Sequence, residues 1–400
     1  MKLNIVRTVS LVVMIAMCAG CGRRDASAIL ERHHQFSMAI GKMEDQIDLI
    51  QLPGRAFSQT IDIEMKNGLF FLSNGAAKKV MKFSSYGDLL TLFYNAVANP
   101  PPVLLAEQKE GNGVSNRKAF AYPFNEVGEI AVADSGMLYV QDVVAEDRRI
   151  WDEELRTQLR SIILRFTPGG VQVDYIGQDG LYGVPFPYID SLTLCAGDIL
   201  TVVARITDAW IIFSYNRSGE LRYRFDFTDA ALPEPESGAI LAIDKVMPGP
   251  EPDILYVKTD LYRERSQSGD FGFSRSNIYR IDASKGVVIG ETELPPAYTT
   301  TGRAQMFNRE QEEVIQYLAG VSEGGVFFLV SPAVEGTYNL LMVNTEGLVV
   351  YRGLLGLDDA TTLYRRFHVT PEGILTAFIG RNTKADVVLW RTDRYLSEQK

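Results

Sequence analysis

The 400-residue chain is poor in the side chains from which most enzyme centres are built. It has three cysteines and three histidines. Cys18 and Cys21 lie close to the start, which leaves Cys195 as the only thiol in the body and excludes a disulfide framework there. Cys195 falls in the run Leu192-Thr193-Leu194-Cys195-Ala196 and reads as a buried strand residue. With histidine limited to His33, His34 and His368, Ser-His and Cys-His nucleophilic catalysis have little material. The adjacent pair His33 and His34 makes a poor metal site, because neighbours on a helix point about 100° apart. No nucleophile elbow, P-loop, zinc-protease helix, CxxC pair or EF-hand loop occurs. No catalytic residue, metal ligand or cofactor is expected from these patterns. A basic excess is missing too: 40 Lys and Arg face 50 Asp and Glu, a net charge of −10. That balance leaves no basic excess to displace phosphate counterions, so nucleic acid is not an expected partner.

What the chain does have is the composition of a globular protein, 46% hydrophobic and 22% charged. Its 34 glycines, 18 tyrosines and 20 phenylalanines suit many short strands joined by turns. The first twenty residues read as an address. Lys2 and Arg7 precede an apolar stretch, Leu11 to Ala19, too short to span a bilayer core of about 30 Å as a helix. Small residues follow around a cysteine, Ala19-Gly20-Cys21-Gly22. This resembles a bacterial lipoprotein signal, with Cys21 as the lipidated residue. It departs from the commonest form at Cys18, where leucine is usual, and is similar to the looser signals of spirochaete lipoproteins. The resemblance implies acylation at Cys21, anchoring by more than one chain, and a place in the bacterial cell envelope. Removal of residues 1–20 would leave a net charge of −12.

Residues 21–45 read as a polar tether and a short helix. Ile29, His33, Phe36, Ile40, Met43 and Ile47 are spaced four and three apart, which places them on one helical face. From 46 to 396 the chain repeats a unit of four apolar strands separated by turns, six times. The second unit is the clearest. Glu129 to Ala133, the turn Asp134-Ser135-Gly136, Met137 to Val140, Ile162 to Phe166, the turn at Gly169-Gly170, and Val171 to Tyr175 form one meander. Six such meanders predict an all-β, six-bladed β-propeller. The sixth unit has three strands only. The alternating segment Gln46 to Leu52 is expected to supply its fourth and close the ring, removing the exposed edges.

Within the second unit, Ile130, Asp134, Gly136, Leu138, Tyr139, Val140 and Asp142 resemble an NHL-type repeat. With the leader, the chain is similar to propeller lipoproteins of spirochaetes. That resemblance implies fold and address and brings no chemistry with it.

Long insertions fall where a propeller places them on one face. Ala145 to Arg160 and Asp260 to Ser276 lie between second and third strands. Pro100 to Pro123, Gly177 to Tyr188 and Pro295 to Glu313 join consecutive blades. The first insertion reads as a short salt-bridged helix with Arg148, Arg149, Trp151 and Arg156. The second carries Tyr262, Arg263 and Arg265. Trp, Tyr and Arg are the residue types favoured at interface hot spots. The expected function is therefore a membrane-anchored binding or assembly platform for an envelope protein, and not an enzyme. The alternative is an envelope hydrolase of glycan or lactone, with carboxylates and a metal in the axial channel; Asp134, Asp142 and Asp190 are its candidate ligands.

Overall fold

In the computed structural model, residues 28–49, 60–105, 117–264, 270–301, 310–334, 336–357 and 361–397 are described, and six antiparallel meanders follow one another along them. Blade 1 comprises Ile63–Lys66, Leu69–Asn74, Lys79–Phe83 and Leu89–Tyr94. Blade 2 comprises Val127–Val132, Leu138–Val143, Ser161–Phe166 and Gln172–Gly177. Blade 3 is Tyr188–Cys195, Ile199–Arg205, Trp210–Tyr215 and Leu221–Phe227, and blade 4 is Ala239–Pro248, Ile254–Glu264, Phe271–Asp282 and Val287–Glu293. Blade 5 is Tyr317–Val321, Phe327–Pro332, Thr337–Val343 and Val349–Gly356. Blade 6 takes Thr362–Val369, Leu375–Arg381 and Lys384–Trp390, with its fourth strand from the start of the chain. The protein is an all-β, six-bladed propeller of four-stranded antiparallel blades. Its only described α-helix is the single turn Arg394–Ser397.

The turns that fold each meander are local. In blade 2, Gly136 at φ +80° donates to Ala133 O at 2.8 Å, and Ala133 N–H donates to Met137 O at 2.9 Å. Only glycine enters this left-handed region without a Cβ penalty. Blade 6 repeats the device at Gly373.

Six apolar clusters hold the ring, one in each gap between neighbouring blades. Blade 5 shows why. Phe327 and Leu329 pack toward blade 4 against Tyr256 and Ile278, while Phe328 and Val330 pack toward blade 6 against Phe367 and Ala377. Both faces of the second strand are buried, so it reads as a continuous apolar run and not as an alternating one. Each fully buried Leu, Phe or Val contributes about 1.5–3 kcal/mol.

The ring closes differently from the sequence expectation. His33–Ala39 is a strand, not a helix, and pairs antiparallel with Lys384–Trp390 from His33↔Leu389 to Ala39↔Lys384. Phe36 and Met38 enter the gap between blades 6 and 1, where Phe36 meets Phe70 and Phe83 at ring-centroid distances of 5.6 and 5.0 Å. A bulge between His34 and Phe36 resets the register. The helical stripe failed because pairing partners 349 residues away, such as Asp386 for Ser37, decide the conformation here. Gln46 to Leu52 is not the closing strand. In its described part, Ile47 makes one bridge to Ile40, and Ile47 and Leu49 fill the same gap as core plugs. Residues 50–52 lie outside the described residues.

Two insertions also differ from expectation. Ala145 to Arg160 forms a 3-10 turn, Glu146–Arg148, and a small hairpin, Ile150–Asp152 with Thr157–Leu159, in place of a salt-bridged helix. Between Asp260 and Ser276, the described residues continue the blade 4 strands outward, so that Ala239 pairs Arg263 and Arg263 pairs Gly272 in a three-stranded arm. Parts of two blade connections are strands as well: Lys118–Ala121 adds in parallel to blade 1, and Ala297–Thr301 pairs Glu310–Val314.

Candidate functional site

The first strand of every blade lines the axis. Where the second strands are apolar, these inner strands alternate with polar residues: Asp62 and Glu64, Glu129, Asp190 and Thr193, Lys245, Tyr317, Arg366 and His368. They enclose a cavity of about 170 Å³. Its lining runs from Asp62, Glu129, Lys245 and Arg366 to residues at the short first-to-second-strand turns, Lys66, Pro250 and Pro371. The cavity therefore extends toward the face with short turns, opposite the long insertions.

Arg366 organises its floor. The guanidinium donates to Asp62 Oδ1 at 3.0 Å and, through a second nitrogen, to Glu129 Oε2. Asp62 also accepts the Ile130 N–H at 3.1 Å. Burial alone would lower the Arg366 pKa, but the Glu129 and Asp62 carboxylates hold it well above its ordinary value. Burial drives the Glu129 carboxyl upward, and Arg366 opposes it. Beside them Lys245 Nζ reaches Asp190 Oδ2 at 2.6 Å. Every floor cation already faces a carboxylate.

Two residues further along the inner strands, the wall carries groups that lack such partners. Burial pushes the Glu64 carboxyl up to about 8, and the Val132 N–H bonded to it offsets this only in part. Burial pushes the His368 imidazole down to about 4, so the ring is neutral, and its Nε2 has no hydrogen-bond partner. On the opposite wall Ser191 Oγ is likewise unpartnered. Toward the mouth the lining is apolar: Met65, Leu194, Met247, Val321 and Val369 form a collar.

This arrangement does not assemble the metal centre of the hydrolase alternative. Asp134 pairs with Lys66 at 2.6 Å, Asp142 accepts the Asn125 and Glu126 N–H groups, and Asp190 holds Lys245. The three do not converge. Asp62 and Glu129, the best-placed axial carboxylates, are bridged by a guanidinium. Among the described residues no three His, Cys, Asp or Glu side chains cluster for a metal. Cys195 is buried, its thiol donates to Gly249 O at 3.1 Å, and burial pushes it up to about 11.

The residues expected to bind a partner lie on the other face. Arg148 is exposed on the 3-10 turn, Arg149 Nε donates back to Val144 O at 3.3 Å, and Trp151 on the hairpin is 57% exposed. Arg156 leans to Asp208 of blade 3 at 3.8 Å. On the blade 4 arm, Tyr262 stacks edge-on with Phe273, and Arg263 pairs with Glu236 at 2.6 Å. Arg265 lies outside the described residues. The two sets share a face but stand on blades 2 and 4, with blade 3 between them. Other exposed apolar side chains join them on this face: Ile150, Tyr188, Ile240, Phe271 and Tyr298. Of the axial cluster only Asp190 was in the sequence expectation, although a signal for the rest existed in the polar alternation Asp62-x-Glu64-x-Lys66 and Arg366-x-His368.

No family model matches the chain, and no curated protein matches it. Solved structures do. The propeller domain of the trilobed protease from Pyrococcus furiosus is 9% identical, covers 83% of each chain and gives a TM-score of 0.39. A putative gluconolactonase is 12% identical over 92% of this chain and 93% of its own, with a TM-score of 0.36. A gluconolactonase from Xanthomonas campestris is 11% identical over 80% and 82%, also at 0.36. Likenesses this distant carry no argument about activity, and the propeller stands on the strand pairing itself.

Proposed function

We propose that the protein is an NHL-like propeller lipoprotein, anchored through Cys21, that serves as a binding platform for an envelope protein. The observation that carries this reading is the looped face: a hairpin with exposed Ile150 and Trp151, a projecting three-stranded arm with exposed Ile240 and Phe271, Tyr188 at the start of blade 3 between them, and Tyr298 on the connection after blade 4. Exposed aromatic and aliphatic side chains gathered on one rigid face mark interaction surfaces. Along the axis, Arg366 pairs with Asp62 and Glu129, and Lys245 pairs with Asp190. Cys21 and the leader lie outside the described residues, and no described helix is long and apolar enough to cross a membrane.

The test is affinity capture from detergent-solubilised membranes with the wild-type protein and the double variant Trp151→Ala, Phe271→Ala. One stoichiometric envelope partner, lost in the variant while its unfolding transition is unchanged, is the expected result. The same partner retained at full yield would sink the looped face as the binding surface.

A further inference from the structure

The described chain joins the ring at its rim. Ile29 bridges in parallel to Leu354 on the outermost strand of blade 5, where Leu30 N–H donates to Leu354 O at 2.8 Å and Leu354 N–H to Ala28 O at 3.0 Å. Leu30 is buried in the gap between blades 5 and 6, and the chain then passes into His33–Ala39, the outer strand of blade 6. Ala28 is therefore fixed on the circumference of the ring. Seven residue steps lead to it from Cys21. Fully extended, they span at most about 25 Å. A domain of this size is roughly 50 Å across. A lipid anchor at Cys21 thus keeps the blade 5 margin near the bilayer, and the ring cannot rest on the opposite margin, at blade 2.

The blade 5 margin carries side chains that suit such a surface. Ile29, Leu348 and Val349 are 64%, 61% and 44% exposed. Leu348 stands just before the outer strand, and Leu354 lies six residues on, about 20 Å away. Arg352, on the strand face that carries Leu354, and Arg32, three residues after Ile29, are exposed. Among the described residues neither meets a carboxylate. Arg394 is exposed on the helical turn whose Tyr395 stacks on Tyr351 of the same strand at 3.8 Å. The acid next to it, Asp393, is taken by Arg391 at 2.7 Å. Glu31 and Glu346 are the exposed acids beside these arginines, so the margin is locally basic on a chain of net charge −10. Aliphatic side chains interleaved with arginines fit the headgroup boundary of an anionic bilayer. The arginine stems lie along the apolar region there, and the guanidinium groups meet phosphates.

We propose that the protein stands edge-on, with the blade 5 margin resting on an anionic lipid surface and the ring axis running along the membrane. This rests on the lipid anchor at Cys21 and goes beyond it in fixing how the ring is held. In that posture neither face is pressed against lipid. The looped face looks sideways, toward a partner standing beside the protein on the same membrane. The blade 2 hairpin, opposite blade 5, is then the part of that face farthest from the bilayer.

The experiment is fluorescence quenching of the full acylated protein in vesicles of phosphatidylcholine and phosphatidylglycerol that carry nitroxide-labelled headgroups. The variants Leu348→Cys, Trp151→Cys and Tyr86→Cys are each labelled with a thiol-reactive fluorophore, while Cys195 is buried and stays unlabelled. The three positions are exposed and report the blade 5 margin, the looped face and the short-turn face. Leu348 lies at the end of the margin away from Ile29, so the short link to Cys21 does not by itself bring it to the lipid. The Leu348 probe is expected to lose most of its emission, and the Trp151 and Tyr86 probes little. Adding Arg32→Gln and Arg352→Gln is expected to lower the ratio of margin-down to free protein about thirtyfold, the effect of two cations near an anionic surface, and to restore the Leu348 emission. Quenching at Trp151 or Tyr86 equal to that at Leu348 would mean that a face lies flat, and would overturn the proposal. So would an unquenched Leu348 probe on protein that floats with the vesicles, or quenching unchanged by the arginine substitutions. Protein that does not float with the vesicles would overturn the anchor, and this inference with it.

Discussion

Arg366 shows how one side chain settles the electrostatics of the axis. Its side chain is 26% exposed, and those of Asp62 and Glu129 are 10% exposed, so solvent screens the trio little. Replacing it by methionine keeps the volume and leaves two buried carboxylates without a counter-charge. Arg366→Met is expected to destabilise the fold by about 3–5 kcal/mol at pH 7, read by urea unfolding. The Arg366 charge favours the fold, and an unchanged unfolding free energy would show that the guanidinium does not stabilise the buried carboxylates. His368 gives the opposite sign. Burial holds its imidazole at about 4 against an ordinary value of 6.5. Between those values the unfolded chain binds a proton that the folded protein refuses. Stability is therefore expected to fall as pH drops from about 6.5 to 4, by up to roughly 3 kcal/mol from this group. His368→Asn is expected to flatten that limb of the pH–stability curve, and an unaltered slope would assign it to other groups.

The element on which the ring depends is His33–Ala39. Phe36 is 6% exposed and packs on Phe70 and Phe83, so Phe36→Ala is expected to cost about 3 kcal/mol in a denaturant titration. A cost below about 1 kcal/mol would mean that the strand contributes little to closure. This element also marks the limit of what the sequence conveys. The six meanders were legible because their turns, such as Asp134-Ser135-Gly136, and their apolar runs are local signals. The identity of the closing strand was not. Phe36 and Met38 alternate as a strand does, yet Ile29, His33, Phe36 and Ile40 also fit a helical face, and only pairing with Lys384–Trp390 decides between them. The insertions were placed on the correct face by counting strands, but their conformations followed long-range register, as the Ala239↔Arg263 pairing of the arm shows. The axial cluster hid for a related reason: Arg366 and Asp62 are 304 residues apart, and no spacing rule joins them.

At the scale of the whole molecule, the ring separates two surfaces. The looped face carries the hairpin and the arm, and the cavity extends toward the short turns. Replacing residues 148–158 by a two-residue Asn-Gly link is expected to cost no more than about 1–2 kcal/mol, because Ile150, Trp151 and Arg156 are exposed while Leu155 packs on the edge of the cluster between blades 2 and 3. A larger cost would show that the hairpin is structural. Cys21→Ala is expected to move the protein from the membrane to the soluble fraction on cell fractionation, and persistent membrane association would remove the lipid anchor from the proposal. The closure by His33–Ala39 sets a timetable as well. Ser37 and Asp386 are 349 residues apart, and a ribosome adding about 5–20 residues per second needs roughly 20–70 s to supply the second after the first. For that interval the first strand has no partner, and blades 1 to 5 can assemble in order while the ring stays open. Ring closure is then the last pairing to form, because His33–Ala39 must wait for Lys384–Trp390.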